Sequence, residues 1–75
     1  MANYNWQKLK GAEQDVRRRD LRVRRHWAET CPDGSWAIFE GKGRQSEKVA
    51  RGFEGTRAMA ERAVQEWELR KLRER

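Results

Sequence analysis

The chain has 75 residues and a mass of 9.0 kDa, with 36% hydrophobic and 40% charged side chains. A chain this short buries only about 60% of the surface that it exposes when unfolded, which leaves room for one small domain and excludes a second lobe that would form a substrate cleft. No apolar run approaches the ~18 residues of a membrane helix, and the N-terminal sequence MANYNWQKLK lacks the apolar stretch of a signal peptide. The single cysteine, Cys31, cannot form an internal disulfide, so these features predict a cytoplasmic protein with no membrane partner.

The charge is strongly basic and unevenly distributed. Eighteen Lys and Arg residues against twelve Asp and Glu residues give a net charge of +6. Six arginines and one aspartate lie within residues 17–25. Such a block is typical of a surface that binds a phosphate backbone or an acidic protein. The alternative is a solvated surface that only keeps the protein soluble, but six close arginines repel one another when no partner is bound.

The first predicted elements are the least clear. Residues 1–11 are expected to form a short strand or an ordered arm, and they contain the hydrophobic side chains Tyr4, Trp6 and Leu9. The pairs Asp15–Arg19 and Asp20–Arg24, spaced i,i+4, favour a helix. The alternation of apolar and polar residues over residues 21–27 favours a half-buried strand instead. We interpret this part as a polar lead, helical or irregular, to about residue 18, followed by a strand over residues 21–29.

Two turns divide the middle of the chain into strands. The sequence Cys31-Pro-Asp-Gly34 has proline at the second turn position and glycine at the last, which predicts a hairpin loop at Pro32-Asp33-Gly34. The loop joins the strand over residues 21–29 to a second strand, Ser35–Glu40. A further turn is expected between Gly41 and Gly43, and a third strand is expected over Glu47–Phe53.

A helix is predicted after the third strand. Thr56 is a suitable N-cap, and the residues that follow are good helix formers. Five of them share one stripe at helical spacing and should pack on the sheet: Met59, Ala60, Ala63, Val64 and Trp67. Leu69 and Leu72 lie off the stripe and offer a contact for self-association, so a monomer or a weak homodimer is expected.

These elements predict an α+β fold in which a three-stranded antiparallel sheet packs on one C-terminal helix (βββα). Residues 1–75 form a single small domain, with an arm or lead segment at 1–20, the sheet at 21–53 and the helix at 56–75. The three-residue loop places Trp27 opposite Phe39 and His26 opposite Glu40.

This register sorts the strand residues into two faces. We expect Leu21, Val23, Trp27, Ala37 and Phe39 to pack against the helix. The other face would be open and would carry Arg22, Arg24, His26, Trp36 and Ile38, joined by Lys48 or Arg51 from the third strand. A shift of one residue would bring Trp36 and Ile38 into the core instead.

The order of these segments is itself a motif. A basic strand over residues 21–29 precedes the Asp33-Gly34 turn, an aromatic strand from Trp36, the step Arg51-Gly-Phe-Glu-Gly-Thr56 and an alanine-rich helix. Over residues 21–69, this order resembles the three-stranded, one-helix DNA-binding domain at the N-terminus of phage-type tyrosine integrases, which is related in fold to plant AP2 domains. In that family the sheet enters the major groove of DNA. The chain departs from the family at Gly55, an extra residue before Thr56, and no catalytic domain is part of these 75 residues. The resemblance therefore implies a stand-alone binding module encoded by a phage.

The predicted nucleic-acid-binding residues combine the resemblance with the arginine block. The resemblance implicates Arg22, Arg24, Trp36, Lys42, Arg44 and Lys48 by position, and the block adds Arg17, Arg18 and Arg19. Guanidinium groups pair with phosphate or bidentately with guanine, and an exposed indole offers a flat surface to a base or sugar. We therefore expect a small basic protein that binds nucleic acid, with duplex DNA favoured and RNA left open, acting as a phage accessory factor in the host cytoplasm. The alternative is a phage-encoded protein that inhibits or modulates an acidic host protein or defence complex without binding nucleic acid.

The sequence does not contain the residues that a catalytic or metal site requires. His26 is the only histidine and Cys31 the only cysteine, so zinc would lack ligands. Cys31 is interpreted as a structural turn residue. The sequence Gly41-Lys-Gly43 is a lone turn and not a phosphate-binding loop. We predict that the chain is not an enzyme and that it holds no cofactor and no metal.

Overall fold

The structure, a computed structural model, describes residues 15–74, so the predicted strand or arm over residues 1–11 lies outside the described residues. Four strands form an antiparallel sheet in the order β1-β2-β3-β4, and one helix follows them. The elements are β1 (Arg17–Asp20), β2 (His26–Thr30), β3 (Ser35–Glu40), a 3-10 turn (Gly43–Gln45), β4 (Glu47–Phe53) and α1 (Arg57–Arg73). The α+β class is confirmed, whereas the expectation of three strands is wrong because the lead segment supplies a fourth.

The extra strand lies just before the strand that was predicted over residues 21–29, and the first half of that predicted strand is a loop. β1 pairs with β2 so that Arg18 lies opposite Glu29 and Asp20 lies opposite Trp27. Residues 21–25 form the loop between them, which is closed by the bonds Leu21 N–H to His26 O (3.0 Å) and His26 N–H to Val23 O (3.1 Å). The alternating pattern at Leu21 and Val23 therefore arises because a loop buries Leu21, and not because these residues lie in a strand.

The hairpin between β2 and β3 is confirmed in its position and register. Gly34 N–H donates to the Cys31 carbonyl (3.0 Å), Cys31 N–H donates to the Ser35 carbonyl (2.9 Å), and Trp27 lies opposite Phe39. The hydroxyl of Ser35 (2.6 Å) and its N–H (2.9 Å) both donate to Asp33 Oδ1, and these bonds lower the pKa of Asp33. The turn thus follows from local residue chemistry, as the sequence predicts.

The third predicted strand is also confirmed, with one irregularity. β4 pairs with β3 through Ala37 opposite Arg51, Ile38 opposite Ala50 and Phe39 opposite Lys48. Val49 is left without a partner, which makes a β-bulge next to the Ile38–Phe39 step. Because of this extra residue, Lys48 and Arg51 lie on the same face of the sheet although they are three residues apart.

The helix begins where the sequence predicts. The hydroxyl of Thr56 accepts a hydrogen bond from Met59 N–H at 3.2 Å and so caps the first turn. Ala60 and Val64 are buried as expected, but Met59 is 46% exposed. Glu68 takes the next buried position at 2% exposure, although its side chain is charged. The helix therefore packs through a short apolar stripe that ends in a carboxylate.

The core lies between α1 and one face of the sheet, mainly over β2 and β3. Ala28, Ile38 and Ala50 are direct neighbours across three strands, and Ile38 is completely buried. The two small side chains beside Ile38 allow the helix to approach closely, so that Ala60 and Val64 reach the sheet. Trp36 and Trp67 close this core at its edges. Within residues 15–74, the helix is neither long enough nor apolar enough to span a membrane.

Candidate functional site

The predicted faces of the sheet are exchanged in the structure. Trp36 and Ile38 belong to the face that packs on the helix, whereas Trp27 and Phe39 lie on the other face. The indole of Trp36 lies against Gly52, where an added Cβ would overlap it, and its N–H donates to Glu54 at 3.1 Å. The prediction that Trp36 belongs to the uncovered face is therefore wrong. Among the described residues, no helix or strand packs against the face of Trp27 and Phe39, which we call the open face.

Four side chains form a ladder across the open face. The guanidinium of Arg18 lies 3.8 Å from the ring centre of Trp27. The rings of Trp27 and Phe39 stack with centroids 4.3 Å apart and an interplanar angle of 14°. The ammonium of Lys48 lies 5.8 Å from the ring centre of Phe39. Each of the four strands contributes one member. The ladder Arg18–Trp27–Phe39–Lys48 is a row of two aromatic rings with a cation at each end.

Hydrogen bonds to the loop that follows β3 hold the ladder in place. The indole N–H of Trp27 donates to the Gly41 carbonyl at 3.1 Å, and Gly41 N–H donates to the Arg25 carbonyl at 2.9 Å. These bonds join the loop over residues 21–25 to the loop that follows β3. Both loops are basic, and we call the surface that they form with the start of β4 the basic end: Arg24, Arg25, Lys42, Arg44 and Lys48.

A hollow of about 560 Å³ opens between these two loops beside Trp27. Arg18, Arg25 and Lys42 line it, with Asp20 as the one carboxylate among its lining residues. Arg25 has a positive φ of 66°, which costs free energy for a side chain other than glycine. Within residues 15–74, neither Arg25 nor Lys42 has an ion-pair partner. The hollow thus carries a net positive charge next to the ladder.

Glu68 fixes the loop over residues 21–25 to the helix. It accepts a hydrogen bond from the backbone N–H of Arg22, and its oxygens lie 3.4 Å from Arg19 Nη1 and 3.6 Å from Arg22 Nε. Burial raises the pKa of Glu68, but the Arg22 hydrogen bond and the charges of Arg19 and Arg22 outweigh it, so the pKa is lowered overall. Glu68 therefore stays ionised at neutral pH and holds the start of the loop.

The nine predicted site residues separate into three groups. The first group is Arg18 on the open face with Arg24, Lys42, Arg44 and Lys48 at the basic end. The side chain of Arg22 belongs to the second group, on the helix side, where its Nε lies 3.6 Å from Glu68. Arg17 and Arg19 lie on the helix side of β1, because their partners Thr30 and Ala28 are buried there. Trp36 is at the opposite end of the sheet. The structure thus brings five of the nine together and leaves four outside the group.

The sequence analysis missed Trp27, Phe39 and Arg25 as site residues and left Arg51 as one of two options. The row of small residues was the signal for which face packs on the helix. A helix can pack closely over Ala28 and Ala50 beside Ile38, whereas the larger side chains of Trp27 and Phe39 would hold it away from the sheet. Within residues 15–74, no three His, Cys, Asp or Glu side chains are grouped so as to hold a metal ion. No family model, curated protein or solved structure matches this chain.

Proposed function

We propose that this protein binds duplex DNA through the open face and the basic end. The observation that carries the proposal is the ladder Arg18–Trp27–Phe39–Lys48, which stands on an uncovered sheet next to four further basic residues. Arginine and lysine at the ends of the ladder suit phosphate oxygens, and the ring edges between them suit sugars and base edges. The resemblance to integrase N-terminal domains supports this proposal, and with it we propose the role of a phage accessory factor in the host cytoplasm.

The ring geometry favours a duplex over a single strand. Proteins that bind single strands stack bases on free aromatic faces. Here Phe39 covers one face of Trp27 and Arg18 covers the other, so no free face of Trp27 remains for a base. The ladder instead presents ring edges as a ridge between two cations. The major groove, about 12 Å wide, admits a two-stranded ribbon, so the two central strands, which carry Trp27 and Phe39, are the ones that would enter it.

The charge distribution supports one orientation of the sheet on the duplex. Within residues 15–74, Arg24, Arg25 and Lys42 at the basic end form no ion pair, and the two carboxylates at the strand ends there, Glu40 and Glu47, lie on the helix face. The hairpin end of the sheet contains Asp33 and Glu54. A phosphate backbone lying along the whole sheet would meet these carboxylates at the hairpin end. We therefore place the phosphates at the basic end and the base edges against the middle of the open face.

The first test is the salt dependence of binding. A random-sequence duplex of about 20 base pairs is titrated with the protein at salt concentrations of about 50 and 200 mM. If about six of the basic residues contact phosphates, the slope of log K against log salt is about −5. Tryptophan fluorescence follows the same titration, and Trp27→Phe identifies the signal of the ladder. Absence of binding at low salt by a folded, monodisperse sample would refute the proposal, and an acidic protein partner would then be the function to test.

A pair of double variants locates the phosphate contacts. Arg25→Ala with Lys42→Ala removes two cations from the hollow and should make the salt slope less negative by about 2. The matched control is Arg70→Ala with Arg73→Ala, which removes the same charge from exposed positions near the helix C-terminus. We expect this control to keep nearly the wild-type slope. Equal changes for the two double variants would show that only net charge matters and would contradict the proposed orientation.

A further inference from the structure

Glu29 is a carboxylate in the middle of the open face. It lies opposite Arg18 on one side and opposite Ala37 on the other, and Arg51 follows next in the same row. Arg18 leans onto Trp27 and forms no ion pair with Glu29. In the described part of the chain, neither Glu29 nor Arg51 has a side-chain hydrogen bond or an ion pair. A free carboxylate on a face that contacts DNA is repelled by phosphates, so it needs a donor group on the bound partner.

A shallow trough lies between Glu29 and Arg51. The small side chain of Ala37 separates them, and the trough of about 250 Å³ is lined by these three residues together with Lys48, Ser35 and the strand backbone. Two strand spacings place the backbones of Glu29 and Arg51 about 10 Å apart. A carboxylate acceptor and a guanidinium donor thus face the same space from opposite walls.

These two groups match the two edges of a G·C base pair in the major groove. A guanidinium donates bidentately to guanine O6 and N7, and a carboxylate accepts from the cytosine N4 amino group. We infer that Glu29 and Arg51 read G·C base pairs and that this protein is therefore a sequence-specific binder, an inference that rests on the proposed function. Without such a contact, Glu29 would only weaken the attraction of the face for DNA.

The test is a selection from a random-sequence duplex library, carried out with the wild-type protein and three variants. The wild type should enrich duplexes with a fixed G·C pair and should discriminate against other pairs about tenfold or more. Glu29→Gln should replace the cytosine preference by adenine or abolish it, because a carboxamide pairs with adenine. Arg51→Lys keeps the positive charge but loses the two parallel N–H donors of the guanidinium group. The preference for guanine should therefore fall, while the salt dependence of binding should stay the same.

Glu40→Gln is the matched control. Glu40 belongs to the same sheet, but it is two residues from Ile38 and so lies on the helix face. Glu40→Gln removes one negative charge, as Glu29→Gln does. It should therefore raise the affinity for all DNA sequences equally and leave the base-pair preference unchanged. If the wild type binds duplexes without a preferred base pair, or if Glu29→Gln and Glu40→Gln give the same profile, the inference fails while the proposed function stands. If no duplex is bound at any salt concentration, the proposed function fails as well.

Discussion

Gly34→Ala is expected to destabilise the domain by about 3 kcal/mol or more, which is a large part of the stability of a domain this small. Gly34 has a φ of 94°, and a Cβ at this position would overlap the backbone of Gly55 and Thr56. The carbonyl of Gly34 also accepts a hydrogen bond from Glu54 N–H at 2.9 Å. The hairpin loop and the start of the helix therefore meet at a glycine backbone, and a side chain would separate them.

Gly43→Ala is the control for this variant. Gly43 also has a positive φ, 55°, but an added Cβ would meet no atom within 4 Å. It should cost only about 1 kcal/mol, which is the cost of a left-handed conformation for alanine. Denaturant unfolding of both variants measures the difference. If Gly34→Ala costs no more than Gly43→Ala, the close approach of hairpin and helix start is not a source of stability.

Glu68→Ala is expected to destabilise the domain by about 3 kcal/mol, because it leaves the Arg22 N–H without an acceptor and removes the carboxylate that Arg19 and Arg22 share. Glu68→Gln keeps an acceptor oxygen and should cost about 1 kcal/mol. Glu66→Ala, which breaks an exposed i,i+4 pair with Arg62, should cost about 0.5 kcal/mol or less. Denaturant unfolding at neutral pH orders the three variants, and a cost for Glu68→Ala equal to that of Glu66→Ala would contradict this role of Glu68.

The same residue should make the stability sensitive to acid. The pKa of Glu68 in the folded protein is lowered from its usual value of 4.5, so folding favours the ionised form. The resulting stabilisation is complete above the unfolded pKa and is lost as the pH falls through the folded pKa. The difference in unfolding free energy between the wild type and Glu68→Gln should therefore narrow from about pH 7 to about pH 3. A difference that is constant over this range would show that the charge of Glu68 does not stabilise the fold.

Local signals in the sequence predicted the elements that have local causes. The Pro32-Asp33-Gly34 loop, the strand Glu47–Phe53 and the cap at Thr56 are each set by residues within a few positions, and all three are confirmed. The register between Trp27 and Phe39 followed from the loop length alone. These features need no knowledge of what packs on the sheet.

The first strand and the choice of face depend on contacts distant in sequence. Residues 21–25 form a loop because Glu68, 46 residues further along, accepts the Arg22 N–H, and that acceptor is not visible in the local pattern. The choice between the Trp27–Phe39 face and the Ile38 face depends on how closely the helix can approach. The larger hydrophobic side chains favour the Trp27–Phe39 face as the one that packs on the helix. The helix can approach the Ile38 face more closely, however, and this closer packing decides the choice. For the candidate site, the basic residues were predictable from charge, but the ladder was not, because the pattern placed Trp27 in the core.

The unpaired Val49 determines which side chains of the outer strand β4 lie on the open face. A regular strand would place Val49 opposite Phe39 and turn Lys48 to the helix side. Trp27, Phe39 and Val49 would then form one continuous hydrophobic surface, next to the outer edge of β4, which pairs with no further strand among the described residues. Surfaces of this kind promote aggregation and strand-to-strand addition. The inserted residue substitutes a hydrated ammonium group for an isopropyl group at that point and kinks the outer strand. The backbone irregularity that completes the row of cations thus also works against aggregation through this face.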